Sequence, residues 1–171
     1  MFKKGLENIE EPYRSLVKDL LNTLLLVFKD NLVSVVVYGS VARGQMRRDS
    51  DLDLLIVAEK LPASRFERIA MFNRAEEAVE KSLEDLSKKG YFVTFSPIIK
   101  TVEEAKRISP LYLDMVDEGI IVYDRNSFFE KILEKLSKKL MELGAERVWV
   151  GRKWYWRLKK DYKFGEVIVI E

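Results

Sequence analysis

The sequence contains no cysteine and no histidine, and its one glutamine is Gln45. Without cysteine there is no disulfide framework and no thiolate nucleophile. Without histidine there is no imidazole base, no serine–histidine pair and no histidine zinc site. Metal or acid–base chemistry must therefore rest on carboxylates, which suit hard ions such as Mg²⁺ or Mn²⁺. Long apolar runs are missing as well. The most apolar stretches, Val33 to Tyr38 and Leu52 to Ala58, are strand-sized, well short of the roughly 18 to 20 residues that cross a bilayer. Lys3 and Lys4 are followed by no apolar stretch, so no signal peptide is expected and the cytoplasm is the expected compartment. Many Lys and Glu with so little Gln and no Cys lean towards a thermophilic source.

What is present is the composition of a folded protein. The 171 residues give room for one domain, and 47% apolar with 34% charged content excludes a disordered chain. The net charge of +2 is unevenly placed: between 145 and 165 seven lysines and arginines face only Glu146 and Asp161, an excess of +5, which leaves −3 for the rest. Tyr13, Leu16, Val17, Leu20, Leu24 and Phe28 recur at steps of three and four and predict a helix over 12–29. A buried strand is predicted from Leu32 to Tyr38 and a second from Asp51 to Ala58. Pro62-Ala63-Ser64 opens one long helix with Phe66, Ile69, Ala70, Val79, Leu83 and Leu86 on its stripe, closed at Gly90. A strand over 91–99, short helical pieces to 118, a strand over 120–123 and a last helix from Phe128 to Leu143 follow. This order predicts an α/β (α+β) fold, a small mixed sheet with flanking helices.

The chemistry concentrates between the first two strands. Asp51 and Asp53 are two apart, so on a strand their carboxylates project to one face, about 7 Å apart along the chain. Two like charges there repel, and a divalent ion relieves the repulsion. A bare Asp-x-Asp is otherwise more often a strand cap and a solvated edge. Ahead of it, however, the first strand stops at Gly39-Ser40, with ten residues between Ser40 and Asp51. Glycine lets the backbone approach a ligand, serine adds a hydroxyl, and the turn beyond offers free N–H groups to phosphate oxygens. Arg43, with Arg47 or Arg48, is available to neutralise a triphosphate.

Tyr38-Gly39-Ser40-Val41-Ala42-Arg43-Gly44, followed by Ser50-Asp51-Leu52-Asp53-Leu54-Leu55-Ile56, resembles the minimal nucleotidyltransferases of the DNA polymerase beta-like superfamily. The resemblance is strongest over 33–57 and extends in layout to about residue 100. Residues 108–129 and 149–165 look like stand-alone archaeal-type members. The resemblance implies a nucleotidyltransferase fold over 1–125, with residues 126–171 as a helical and aromatic extension packed on it. It implies Mg²⁺-dependent transfer of a nucleoside monophosphate from a triphosphate, ATP above all, to an acceptor that is a protein, an RNA or a small molecule, with release of pyrophosphate. Gly39 and Ser40 match its phosphate motif, and Asp51 and Asp53 its catalytic metal-binding pair; Arg43 joins the nucleotide-binding residues on the strength of its charge alone. A third carboxylate belongs on the strand after the long helix, yet no acid occurs between Asp85 and Glu103. Thr94 and Ser96 are the two polar side chains there, and Thr94, away from Pro97, is the favoured occupant of the third position.

Two other readings follow from the same residues. The missing acid suits a catalytically weak nucleotide-binding protein of the same fold, antitoxin-like and with a protein partner. The tail, in which Trp149, Trp154, Tyr155 and Trp156 interleave with Arg147, Arg152, Lys153, Arg157 and Lys159, suits stacking on bases and contact with phosphates. The commoner fate of such aromatics is to pack as a lid while the cations stay solvated. Asp114, Asp117 and Glu118 read as a solvated helix face.

Overall fold

The computed structural model describes residues 1–151 and 153–170; Arg152, one of the tail cations, lies outside them. Five strands form one mixed sheet: β1 (Lys3–Lys4), β2 (Leu32–Tyr38), β3 (Leu52–Ala58), β4 (Phe95–Thr101) and β5 (Ile120–Asp124), in the order β1-β5-β2-β3-β4. β2 runs antiparallel to both its neighbours, while β3 with β4 and β1 with β5 are parallel pairs. Helices cover both faces, which explains why β2 and β3 are apolar nearly without interruption. Val35, Val37, Leu54 and Ile56 pack under α1 (Tyr13–Phe28) and α3 (Arg65–Glu77). Val36, Leu55 and Val57 face the other way, onto α6 (Pro110–Glu118) and α7 (Phe128–Leu143). The expected small mixed sheet with flanking helices is what forms. No helix among the described residues is long and apolar enough to cross a membrane.

Three expectations change. The long helix is two, α3 and α4 (Glu80–Lys88), with the break at Ala78–Val79. Glu76, Glu77 and Glu80 crowd that point, and a like-charge pair four apart disfavours helix. The face of α3 also differs: Arg68, Phe72 and Ala75 are buried, while Phe66 is 89% exposed. Arg68 turns inward because it has partners there. It donates to the carbonyls of Pro62 (2.6 Å) and Ile99 (3.3 Å) and grips both oxygens of Glu104. The third strand begins at Phe95 rather than Tyr91, since the backbone of 91 and 92 is tied elsewhere, Tyr91 N–H to Leu86 and Phe92 N–H to Arg48. Two short helices, α2 (Gly39–Ala42) and α5 (Val102–Ala105), follow β2 and β4, and the last strands lie in the tail. There β6 (Glu146–Val150) and β7 (Lys153–Arg157) form an antiparallel hairpin.

Candidate active site

β2 delivers the chain to α2 at the point where β3 begins. In the antiparallel register Tyr38 stands opposite Asp53, so the turn after β2 lies against the first residues of β3. Gly39 has φ +73°, and a Cβ there would lie 2.0 Å from Oδ2 of Asp53. Two separate demands therefore select glycine, the left-handed backbone and the adjoining carboxylate. Ser40 is half-buried, and its hydroxyl makes no hydrogen bond among the described residues. The first N–H groups of α2 have no acceptor within their own helix. A small polar surface of hydroxyl and backbone N–H thus sits beside the two carboxylates.

Asp51 is exposed and accepts a hydrogen bond from the hydroxyl of Thr94. Asp53, half-buried, stands in parallel register with Ser96 of β4. Both hydroxyls singled out for the third position therefore adjoin the pair, one against each carboxylate. Thr94 precedes the strand and Ser96 is on it, so the two do not share one strand as the sequence suggested. Burial pushes the Asp53 carboxyl up from its usual range and the charge of Asp51 pushes the same way, against Arg43, which lowers it. Burial, with Asp53 opposite, raises the Tyr38 phenol to about 12.

Among the described residues no group of three or more acids converges to hold a metal. Two adjoining carboxylates that repel one another nonetheless fit a magnesium ion, which takes one or two protein carboxylates and fills the rest of its shell with waters and phosphate oxygens. Asp51 and Asp53 are the residues that would hold it.

Arg43 follows α2 directly. Its guanidinium donates to Glu118 at 3.0 Å and to Gln45 at 3.2 Å, and its Cζ lies 5.1 Å from the centre of the Trp154 ring. Arg48 is directed elsewhere, 5.6 Å from the Tyr91 ring, and Arg47 is exposed. Cζ of Arg147 lies 5.0 and 5.5 Å from the ring centres of Trp154 and Trp156, and its guanidinium donates to Glu118 and pairs ionically with Asp117 and Asp114 at 3.4 and 3.6 Å. Both indole N–H groups donate to Asp114. Asp114, Asp117 and Glu118 are thus the anchor of the hairpin rather than a solvated face, and Trp154 and Trp156 turn inward while Tyr155 stays exposed. Sequence spacing missed Glu118, Arg147 and Trp154, because their meeting depends on contacts across up to 111 positions of chain, Arg43 to Trp154.

Comparison with known proteins bears on this arrangement. A family model for the nucleotidyltransferase domain matches residues 21–121. A curated protein of Methanocaldococcus jannaschii, named "Putative protein adenylyltransferase MJ1305", is 30% identical over 132 residues, covering 74% of this chain and 82% of its own. Among solved structures, a toxin–antitoxin complex with AMP-PNP is 16% identical at a TM-score of 0.43, covering 74% of this chain and 92% of that one. A tri-AMPylated Shewanella oneidensis HEPN toxin in complex with MNT antitoxin is 14% identical at 0.36, covering 76% and 87%.

Proposed function

The chain belongs to the nucleotidyltransferase-domain family, and from that premise we propose that it transfers AMP from ATP, with Mg²⁺, to a hydroxyl of a protein acceptor. The observation that carries this reading is the contact between Gly39 and Asp53, which puts the phosphate turn and the carboxylate pair at one place. The protein acceptor is suggested by the name of the 30% identical relative. In the reaction the acceptor oxygen bonds to the α-phosphorus, the bond to the α–β bridging oxygen breaks, pyrophosphate leaves and the hydroxyl proton passes to water.

Asp51 and Asp53 would hold the metal, which when bound offsets phosphate charge and draws electron density from the α-phosphorus. The backbone from Gly39 and the hydroxyl of Ser40 bind phosphate oxygens, and Arg43 offsets the charge that develops on the pyrophosphate.

A second reading, nucleotide binding without transfer, has one observation in its favour, the absence of a third acid beside Asp51 and Asp53 among the described residues. Incubation with ATP labelled at the α-phosphate, Mg²⁺ or Mn²⁺ and cell lysate separates the two. Label on protein that disappears in Asp51→Asn supports transfer. Saturable binding of ATP with no labelled acceptor supports the second reading and sinks the first.

A further inference from the structure

The family match ends at residue 121, whereas Arg43, the arginine that directly follows α2, is contacted by a hairpin 25 and more positions later. Glu118 takes a hydrogen bond from Arg43 on one oxygen and from Arg147 on the other. The Cζ atoms of Arg43 and Arg147 lie 5.1 and 5.0 Å from the centre of the same Trp154 ring. That ring is itself fixed, since its N–H donates to Asp114 on α6 at 3.2 Å. One carboxylate thus faces two guanidinium groups, and the indole limits where the Arg43 side chain can go. An arginine with its long stem otherwise loses much rotamer freedom on meeting a ligand. One that is already ordered loses less.

We infer that Trp154 is a positioning residue for Arg43, so that the C-terminal hairpin completes the nucleotide site from outside the family domain. The inference rests on the reading above in which Arg43 meets the β- and γ-phosphates. It is specific to the aromatic face: a side chain of similar bulk without one would pack in the same place and leave Arg43 with Glu118 and Gln45 but no ring against its guanidinium. It is also specific to the part of the nucleotide that Arg43 reaches, so AMP should not sense the change.

The test is a titration calorimetry series on the full chain with α,β-methylene-ATP plus Mg²⁺, and with AMP. Trp154→Leu is expected to weaken α,β-methylene-ATP binding about three- to tenfold, the range of a partly desolvated cation–π contact, while AMP binding stays unchanged. Trp154→Phe, which keeps an aromatic face, is expected to stay within about twofold of wild type. Tyr155→Ala, on the outer face of the hairpin, is expected to bind as wild type. Arg43→Ala and the double variant with Trp154→Leu should be equally weak, because the indole then has nothing to position. Should the Leu variant not fold, Trp154→Met makes the same comparison. Unchanged affinity in a folded Leu or Met variant overturns the inference, as does an additive double variant or an equal loss of AMP binding. If Arg43→Ala itself binds as wild type, the reading of Arg43 as a phosphate ligand fails along with it. If Arg43→Ala is weak while Trp154→Leu is not, only the positioning role fails.

Discussion

At Gly39 any side chain would have to share space with the Asp53 carboxylate and sit at φ +73°. Gly39→Ala is accordingly expected to lose about 1–3 kcal/mol of stability to backbone strain and to displace Asp53, so that urea denaturation and nucleotide binding fall together. Asp53→Asn should separate them. Because burial and Asp51 raise the Asp53 carboxyl above its unfolded value, its contribution to stability is present below the usual carboxylate range and is lost as pH rises through the raised value. The variant at pH 7 is therefore expected to be at least as stable as wild type in thermal melts, yet to lose Mg²⁺-dependent ATP binding. MgATP affinity equal to wild type would refute the metal role. The hydroxyls beside the pair give a third contrast. Ser96 is exposed and in register with Asp53, whereas Thr94 donates to Asp51. Ser96→Asp is expected to raise Mn²⁺ affinity roughly tenfold by adding a carboxylate ligand. Thr94→Asp replaces a donor by a second acid and should gain less. No gain at Ser96, measured by titration of the metal alone, would show that this face is not where a third ligand belongs. That Gly39, Ser40, Asp51 and Asp53 would be neighbours was legible because they lie within fifteen positions of chain. Glu118, Arg147 and Trp154 carry no local pattern, and an acid, a cation and an indole each read as surface or lid.

Among the elements, β2 and β3 were the most legible, since burial on both faces leaves them continuously apolar. α1 also lies where its periodicity puts it, within a residue at each end. α3 was misread because Phe66 and Ile69 look like core and Arg68 does not. The ion pair decides the matter: Arg68 and Glu104 join α3 to α5, and Glu104 also completes a capping box with Thr101 at the start of α5. Arg68's hydrogen bonds, foremost, hold the Glu104 carboxyl below its usual range despite partial burial. The stabilisation is therefore present above the ordinary carboxylate range and lost as pH falls through the lowered value. Glu104→Ala is expected to cost about 2 kcal/mol in urea denaturation at pH 7, the scale of hydrogen bonds to a charged group. It should also flatten the acid limb of the stability profile. A variant as acid-sensitive as wild type would mean that Arg68 finds its compensation elsewhere.

For the molecule as a whole, residues 126–171 divide into a part that the core needs and a part that the site needs. α7 buries Phe129, Leu133, Leu136 and Leu140 against the sheet, each no more than 4% exposed. Its first turn is tied to the sheet by Asp124, which accepts from the N–H groups of Phe129 (3.0 Å) and Glu130 (2.9 Å) and from Ser34 (2.5 Å). Losing one such apolar side chain costs about 2–5 kcal/mol, and a domain of this kind is stable by about 5–15 kcal/mol in all. Four together therefore exceed what the fold has to spare. The hairpin differs, because it packs on α6 mainly through ion pairs and indole edges, with Trp149 and Tyr155 about half exposed. A chain ending at 125 is accordingly expected to be unfolded or to aggregate. A chain ending at 144, which keeps the left-handed Gly144 that closes α7, is expected to melt cooperatively at a lower temperature. With the Trp154 ring gone from beside Arg43, its ATP affinity should fall further than its stability accounts for. Circular dichroism melts and nucleotide titration on the two truncations check both halves. A cooperative, fully folded 1–125 would show that α7 is dispensable to the core, and a 1–144 chain with wild-type ATP affinity would show that the hairpin is dispensable to the site.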